Sequence, residues 1–314
     1  MSTRLAIIIL HYKNYQETIA CVKSALAQKG DGYEIIVVDN GSGDGSYEIL
    51  KREFKNAPHL TIKKLKKNLG FARGNNAGIR YARTQFYAKN CFVCNSDVVF
   101  EDTLFEELLA APREGIGCLS PAVYDTEQNP QPLTINMKSP YRTILFTLLY
   151  IIYKSLPKKV KRKLLLQTAK LLYFLIKKGI KGLAKLRSYL KEQKVRQVQR
   201  EDRGESSGNL STENPFRMQG CAFMLTEEYF KNYKGLYPKT FLYGEELNLS
   251  LYLKKAGLLA ATVKTSPVIH KGKQSSMTLL AEEGDRKKLK LARRSLIQSL
   301  PLLFLSPKNI RKLY

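Results

Sequence analysis

An open, doubly wound α/β sheet, mainly parallel, is the fold class this sequence predicts, and three observations predict it. Short apolar runs rich in Ile and Val alternate with stretches of helical pattern. Four such β-then-α alternations imply parallel strands joined by crossover helices. Polar clusters follow the strands at one common end: His11–Asn14, Asp39–Ser42, Asn68–Asn76 and Asn95–Asp97. In open sheets that end is where ligands bind.

Residues 5–10, "LAIIIL", are a continuous apolar run, as expected of a central parallel strand buried on both faces. Asn14 and Glu17 have capping-box spacing, which predicts a helix through about Gln28. Residues 33–38, "YEIIVV", form the next strand and end in the turn "DNGSGDGS", with Ser46 expected to cap the following helix. "LTIKKL" is a third strand, and "NLGFARGNNAGIRYA" is a Gly/Asn loop running into a helix. Phe92–Cys94 begins a fourth strand.

The chain has 314 residues, enough for two domains or one with a large insertion. Its net charge of +26 implies an anionic partner. Residues 138–203 carry 19 Lys and Arg against three acidic residues. Their Leu, Phe and Ile recur every three to four positions, with Lys between, which predicts basic amphipathic helices lying on an anionic membrane surface, or a helical subdomain whose Lys face is solvated or docks a protein. The longest near-uncharged run, Ile144–Tyr153, is about half of a bilayer span. A nucleic-acid partner is not expected, since no zinc finger or helix-turn-helix pattern appears. Residues 276–314 repeat the basic-then-apolar pattern, broken by Pro301 and Pro307. Met1–Arg4 leads straight into Leu5–Leu10, too short for a signal h-region, and five cysteines form no disulfide framework. Both point to a cytoplasmic setting.

Asp39 follows "IIVV", where its carboxylate can accept from the N3–H of uracil or thymine, or cap its own turn. Asn68, Gly70, Gly74 and Asn75 offer amides and backbone N–H groups to a ribose and phosphates at a helix N-terminus. The pattern is neither G-x-G-x-x-G nor Walker A. Asp97, at the end of an apolar run, is a metal candidate, because a diphosphate needs a hard cation with oxygen ligands. His270 is a second ligand or a loop histidine. Glu245 and Glu246 open a helix behind Phe241, Leu242 and Tyr243. They are a helix-dipole feature, or a general base raised in pKa by an apolar cleft.

Six segments in order, "IIILHYKN", "IIVVDNGSGDGS", "NLGFARGNNAGIRYA", "CNSDVVF", "MQGCAFMLT" and "FLYGEELNLSLYLKKAG", resemble family 2 glycosyltransferases of the GT-A fold, in the style of bacterial rhamnosyltransferase-like members. The resemblance covers about 1–125 and 215–275. It implies an inverting transfer of sugar from a UDP- or dTDP-sugar donor to an acceptor hydroxyl, with Mg²⁺ or Mn²⁺. Together with the basic helices, it implies a lipid-linked saccharide acceptor and a peripheral position on the inner membrane face. The first segment places donor contacts at His11, Tyr12 and Asn14, and the second at Asp39, Asn40 and Gly41. The third adds Asn68, Gly70, Arg73, Gly74 and Asn75, the fourth Asn95 and Ser96, and the fifth Gly220. Asp97 stands in the family's D-x-D motif as metal ligand, with His270 beside it. Glu246 stands at the catalytic base, with Glu245 as its neighbour. Asn95 replaces the first Asp of D-x-D, Glu246 the usual Asp, and Asn248 a later Asp.

The implied organisation is a nucleotide-sugar-binding half over 1–137, a helical insertion over 138–203, an acceptor and catalytic half over 204–275, and basic helices over 276–314. The sequence leaves the oligomeric state open. A sugar-nucleotide-binding scaffold with impaired chemistry is the alternative function, and a basic nucleic-acid-binding protein is the remote one.

Overall fold

The computed structural model describes residues 3–131, 210–211, 220–272 and 284–314. Contacts divide the chain into two compact units, Met1–Ile144 with Asn209–Tyr314, and Leu145–Gly208. The second unit, and with it the expected amphipathic helices of 138–203, lies outside the described residues.

The elements begin β1 (Leu5–His11), α1 (Tyr15–Leu26), β2 (Tyr33–Asp39), α2 (Ser46–Glu53), β3 (Leu60–Lys64), α3 (Phe71–Gln85) and β4 (Asn90–Asn95). They continue with β5 (Val98–Phe100), α4 (Leu104–Ala110), β6 (Ile116–Ser120), β7 (Val123–Tyr124), β8 (Leu210–Ser211) and β9 (Ala222–Leu225). Then follow α5 (Glu227–Asn232), α6 (Glu245–Ala256), β10 (Leu259–Val263), β11 (Val268–His270), α7 (Gly284–Ser299), a 3₁₀ turn (Leu300–Leu303) and α8 (Pro307–Arg311). The main sheet runs β3-β2-β1-β4-β9-β6-β10-β8, and a small sheet runs β5-β11-β7.

The four expected strands pair in parallel in the order β3-β2-β1-β4. Both faces of β1 are buried, which is why it reads as an unbroken apolar run. Leu5, Ile7 and Ile9 join one core cluster with Cys21 and Val22 of α1. On the other face α3 packs closely: a Cβ on Gly78 would stand 3.0 Å from Val38 Cγ2. Gly74 likewise lies against Leu10 and Asn40, which leaves no room for a side chain there.

One local expectation changes. Ser46 does not cap α2; Gly45 occupies that position in a left-handed conformation (φ +83°), and Ser46 is the first helical residue. The sheet is mainly parallel, as expected, with β9 antiparallel between β4 and β6 and β8 antiparallel to β10. The four buried residues of β9 carry no sign of direction in the sequence. The breaks at Pro301 and Pro307 fall where expected: α7 stops at Ser299, and Pro307 opens α8, where its missing N–H costs nothing. Ser295 Oγ of α7 donates to Leu242 O at 2.7 Å, tying this helix to the segment that leads into α6.

Candidate active site

His11, Asp39 and Asn95 stand side by side at the carboxyl ends of β1, β2 and β4, since Leu10 pairs with Asn95 and His11 with Asp39. After Asn95 the chain turns through Ser96 and Asp97 into β5. β5 pairs antiparallel with β11, placing His270 opposite Val98, and Lys271 N donates to Asp97 O at 3.0 Å. This register brings together two residues 173 positions apart in sequence.

Asp97 is 3% exposed, and its Oδ1 has no hydrogen-bond partner although it lies 3.5 Å from His270 Nε2. Gln131 fixes the imidazole from behind: its Oε1 is 3.0 Å from Nδ1, and its Nε2 donates to His270 O at 3.3 Å. Burial disfavours a charged ring, but Asp97 and the Cys221 thiol outweigh it and push His270 up to about 10. Asp97 and His270 pair across 3.5 Å, and with the ring neutral and its Nδ1 held by Gln131, Nε2 and the buried carboxylate are a donor set that fits a divalent cation. Among the described residues no group of three or more His, Cys, Asp or Glu forms a metal cluster.

The corner around Asp39 is built as specifically. Asp39 is fully buried, and its Oδ1 accepts from Ser42 N at 3.0 Å and Ser42 Oγ at 2.5 Å. Its Oδ2 is left without a partner. The two readings of Asp39 thus share one side chain: one oxygen caps the turn and the other remains available. Gly41 (φ +71°) must be glycine, because a Cβ there would stand 2.7 Å from Asn68 N.

Several residues expected at the donor also bond within the protein. His11 is fully buried, with Nδ1 2.7 Å from Thr18 Oγ1 and Nε2 2.9 Å from Ser46 Oγ. Burial lowers its pKa, favouring the neutral ring. Asn40 Nδ2 donates to Asn68 Oδ1 at 3.0 Å, and Asn40 Oδ1 accepts from Leu69 N at 2.9 Å. Asn75 is fully buried and donates to Phe71 O at 3.1 Å. Asn14 caps α1. These five residues shape the loops that frame the site, and Asn75 Oδ1 remains buried without a partner. Tyr12 is half-buried beside them, and Ser96 is buried in the turn before Asp97. Gly70 (φ +83°) closes the approach of α3 to the Phe241 backbone, whose O accepts from Phe71 N at 2.8 Å. Arg73 lines a cavity with Lys239 and Arg294.

The carboxylate pair opens α6 after two left-handed residues, Tyr243 (φ +74°) and Gly244 (φ +86°). The two side chains diverge. Glu246 lies over Gly220, where a Cβ would stand 2.9 Å from its Cδ. Glu245 lines a small internal cavity with Thr240, Asn248 and Tyr252. There Glu245 Oε1, Thr240 Oγ1 and both amide atoms of Asn248 are buried without partners. Burial, then the neighbouring Glu246, push Glu245 up to about 8, and burial also raises Glu246. Ser42, Gln131 and Thr240 escaped the sequence reading. Ser42 lay within a quoted turn, while Gln131 and Thr240 matter only through a register that no local pattern announces.

Fold and site together define an α/β protein of the GT-A glycosyltransferase type, with a mostly parallel central sheet. The chain belongs to glycosyl transferase family 2, whose family model matches residues 6–169. It is similar to the uncharacterized glycosyltransferase YibD of Escherichia coli (strain K12), 31% identical over 113 residues, which are 36% of this chain and 31% of that protein. It is also similar to glycosyltransferase GlyG of Streptococcus pneumoniae serotype 4, 25% identical over 114 residues, 36% of each chain. The matches thus span about a third of these curated relatives. Among solved structures, GalNAc-T7 with UDP, GalNAc and Mn²⁺ superposes with a TM-score of 0.54 at 13% identity, covering 87% of this chain and 44% of that one. S. aureus TarS 1–349 gives 0.52 at 11% identity, covering 95% and 72%. At such identities the likeness concerns the fold.

Proposed function

We propose that the protein is an inverting glycosyltransferase that moves a sugar from a UDP- or dTDP-sugar to the hydroxyl of a lipid-linked saccharide at the inner membrane surface. The observation that carries this reading is the buried Asp97 carboxylate paired with His270, at the strand ends where Asp39 keeps an unmatched oxygen. Asp39 Oδ2 would accept from the imide N–H of the base. Asp97 and His270 would hold Mg²⁺ or Mn²⁺, which supplies charge to offset the departing diphosphate.

Glu246 takes the proton. The acceptor oxygen attacks the anomeric carbon, the bond from that carbon to the diphosphate oxygen breaks with its electrons, and the acceptor proton passes to the Glu246 carboxylate. A pKa raised by burial strengthens the base, while the N-terminus of α6 keeps an anion tolerable there. Glu245, turned into the interior, positions the helix start.

A panel of sugar nucleotides with Mn²⁺, read by thermal shift, tests the donor. A true donor at about 100-fold over its Kd stabilises by about 2.7 kcal/mol; no shift with any uridine or thymidine sugar nucleotide sinks the reading. Co-sedimentation with anionic vesicles tests the membrane position, and binding that ignores salt and lipid charge counts against it.

A further inference from the structure

Beside the carboxylate helix lies a cavity of about 700 Å³ whose described lining carries three cations, Arg73, Lys239 and Arg294, and no carboxylate. All three residues are exposed, and among the described residues none makes a hydrogen bond or ion pair. Single surface cations are ordinary, but three converging on one concavity repel each other unless an anion joins them. The rest of the lining is largely apolar, including Leu69, Phe241 and Leu291, all only partly buried. Two large apolar side chains on the same C-terminal segment are left in solvent, Ile297 at 48% and Phe304 at 88% exposure.

Two features tie this cavity to the chemistry. Thr240 lines both it and the inner space that holds Glu245, so it is the wall between them. Thr240 is 1% exposed and its hydroxyl lacks a partner. Phe241 stands five residues before Glu246 on the strap that α7 pins through Ser295.

We infer that this cavity is the acceptor's anchor, seating a phosphate or diphosphate group between Lys239, Arg294 and Arg73, the last thereby assigned to the acceptor instead of the donor, with an attached apolar chain along Leu69, Phe241 and Leu291. The inference rests on the transferase reading and deepens it, by assigning the part of the acceptor that the reacting sugar does not supply. The cations recognise the phosphate oxygens through charge-assisted hydrogen bonds. The apolar floor distinguishes a lipid carrier from a free phosphate.

The test measures binding of geranylgeranyl diphosphate, inorganic pyrophosphate and geranylgeraniol by titration calorimetry, with UDP or dTDP and Mn²⁺ saturating so that the donor site is filled. Geranylgeranyl diphosphate should bind about tenfold or more tightly than pyrophosphate, since the chain buries apolar area, and the alcohol should bind more weakly than the diphosphate. Lys239→Gln with Arg294→Gln should weaken the diphosphate about tenfold and leave nucleotide binding and Tm unchanged. Equal affinity for pyrophosphate and the lipid would overturn the lipid assignment. Undiminished lipid binding by the double variant would overturn the site. Absence of UDP and dTDP binding would instead fault the transferase reading, whereas nucleotide binding without diphosphate binding faults this inference alone.

Discussion

Gly220→Ala probes the base proposed at Glu246 through its packing alone. The added methyl would stand 2.9 Å from Glu246 Cδ, with Oε1 closer still, against about 3.4 Å for an ordinary contact. The carbon must retreat by roughly half an ångström and the oxygen by roughly twice that. Glu246 is flexible at its far end, so it swings aside and the fold loses little. A catalytic group displaced by about 1 Å costs on the order of 100-fold in rate, or about 2.7 kcal/mol of barrier. The assay is donor turnover, followed by nucleotide release, beside calorimetric donor binding. Turnover should fall by about that factor while donor affinity and Tm hold. Adding Glu246→Asp to Gly220→Ala shortens the side chain and should recover part of the loss. Wild-type turnover in Gly220→Ala would refute the placement of the base against Gly220.

Asp97→Asn should abolish metal-dependent nucleotide binding, measured by calorimetry with Mn²⁺ and with EDTA; unchanged metal dependence would release Asp97 from the role. Glu245 should make stability depend on pH. Its folded pKa of about 8 lies above its ordinary 4.5, so stability is greatest below about pH 4.5 and falls as pH rises through 8. Glu245→Gln should flatten that fall in urea melts at pH 5 and pH 8. Glu246→Gln should cut kcat severely with donor affinity kept, and Glu245→Gln should cut it less. Gly41→Ala should destabilise by about 2 kcal/mol or more, because it meets backbone at a left-handed position; a urea midpoint equal to the wild type would show that the turn can move.

The parts of the fold legible in sequence were those set by burial on both faces. β1 and β2 read as Ile- and Val-rich runs because helices cover both sides of them. The polar clusters at their ends were legible because Asp39 and Asp97 gain nothing from burial without a partner. Nothing local could show that β11 would slide His270 against Asp97, since that contact depends on pairing with β5. The split between Glu245 and Glu246 was hidden too, because adjacent helical residues diverge by about 100° and only packing decides which faces the cleft. The internal bonds of His11 and Asn40 were hidden for a related reason: a polar residue at a strand end serves a ligand, a neighbouring loop or both, and the sequence is the same in each case.

The antiparallel β9 has a consequence for how the protein is made. It fills the gap between β4 and β6, yet it leaves the ribosome 127 residues after β4 ends. At about 5–20 residues per second that is roughly 6 to 25 seconds of synthesis. Through that interval the β3-β2-β1-β4 half can assemble from its own near neighbours. Its outer edge then presents the unpaired backbone of Cys91, Phe92, Val93 and Cys94, all of them buried in the finished sheet. A nascent chain with so apolar an open edge invites pairing with the wrong strand. Slowed elongation between β7 and β9 should therefore raise the aggregated fraction of newly made protein, and a holdase chaperone that covers strand edges should restore the yield.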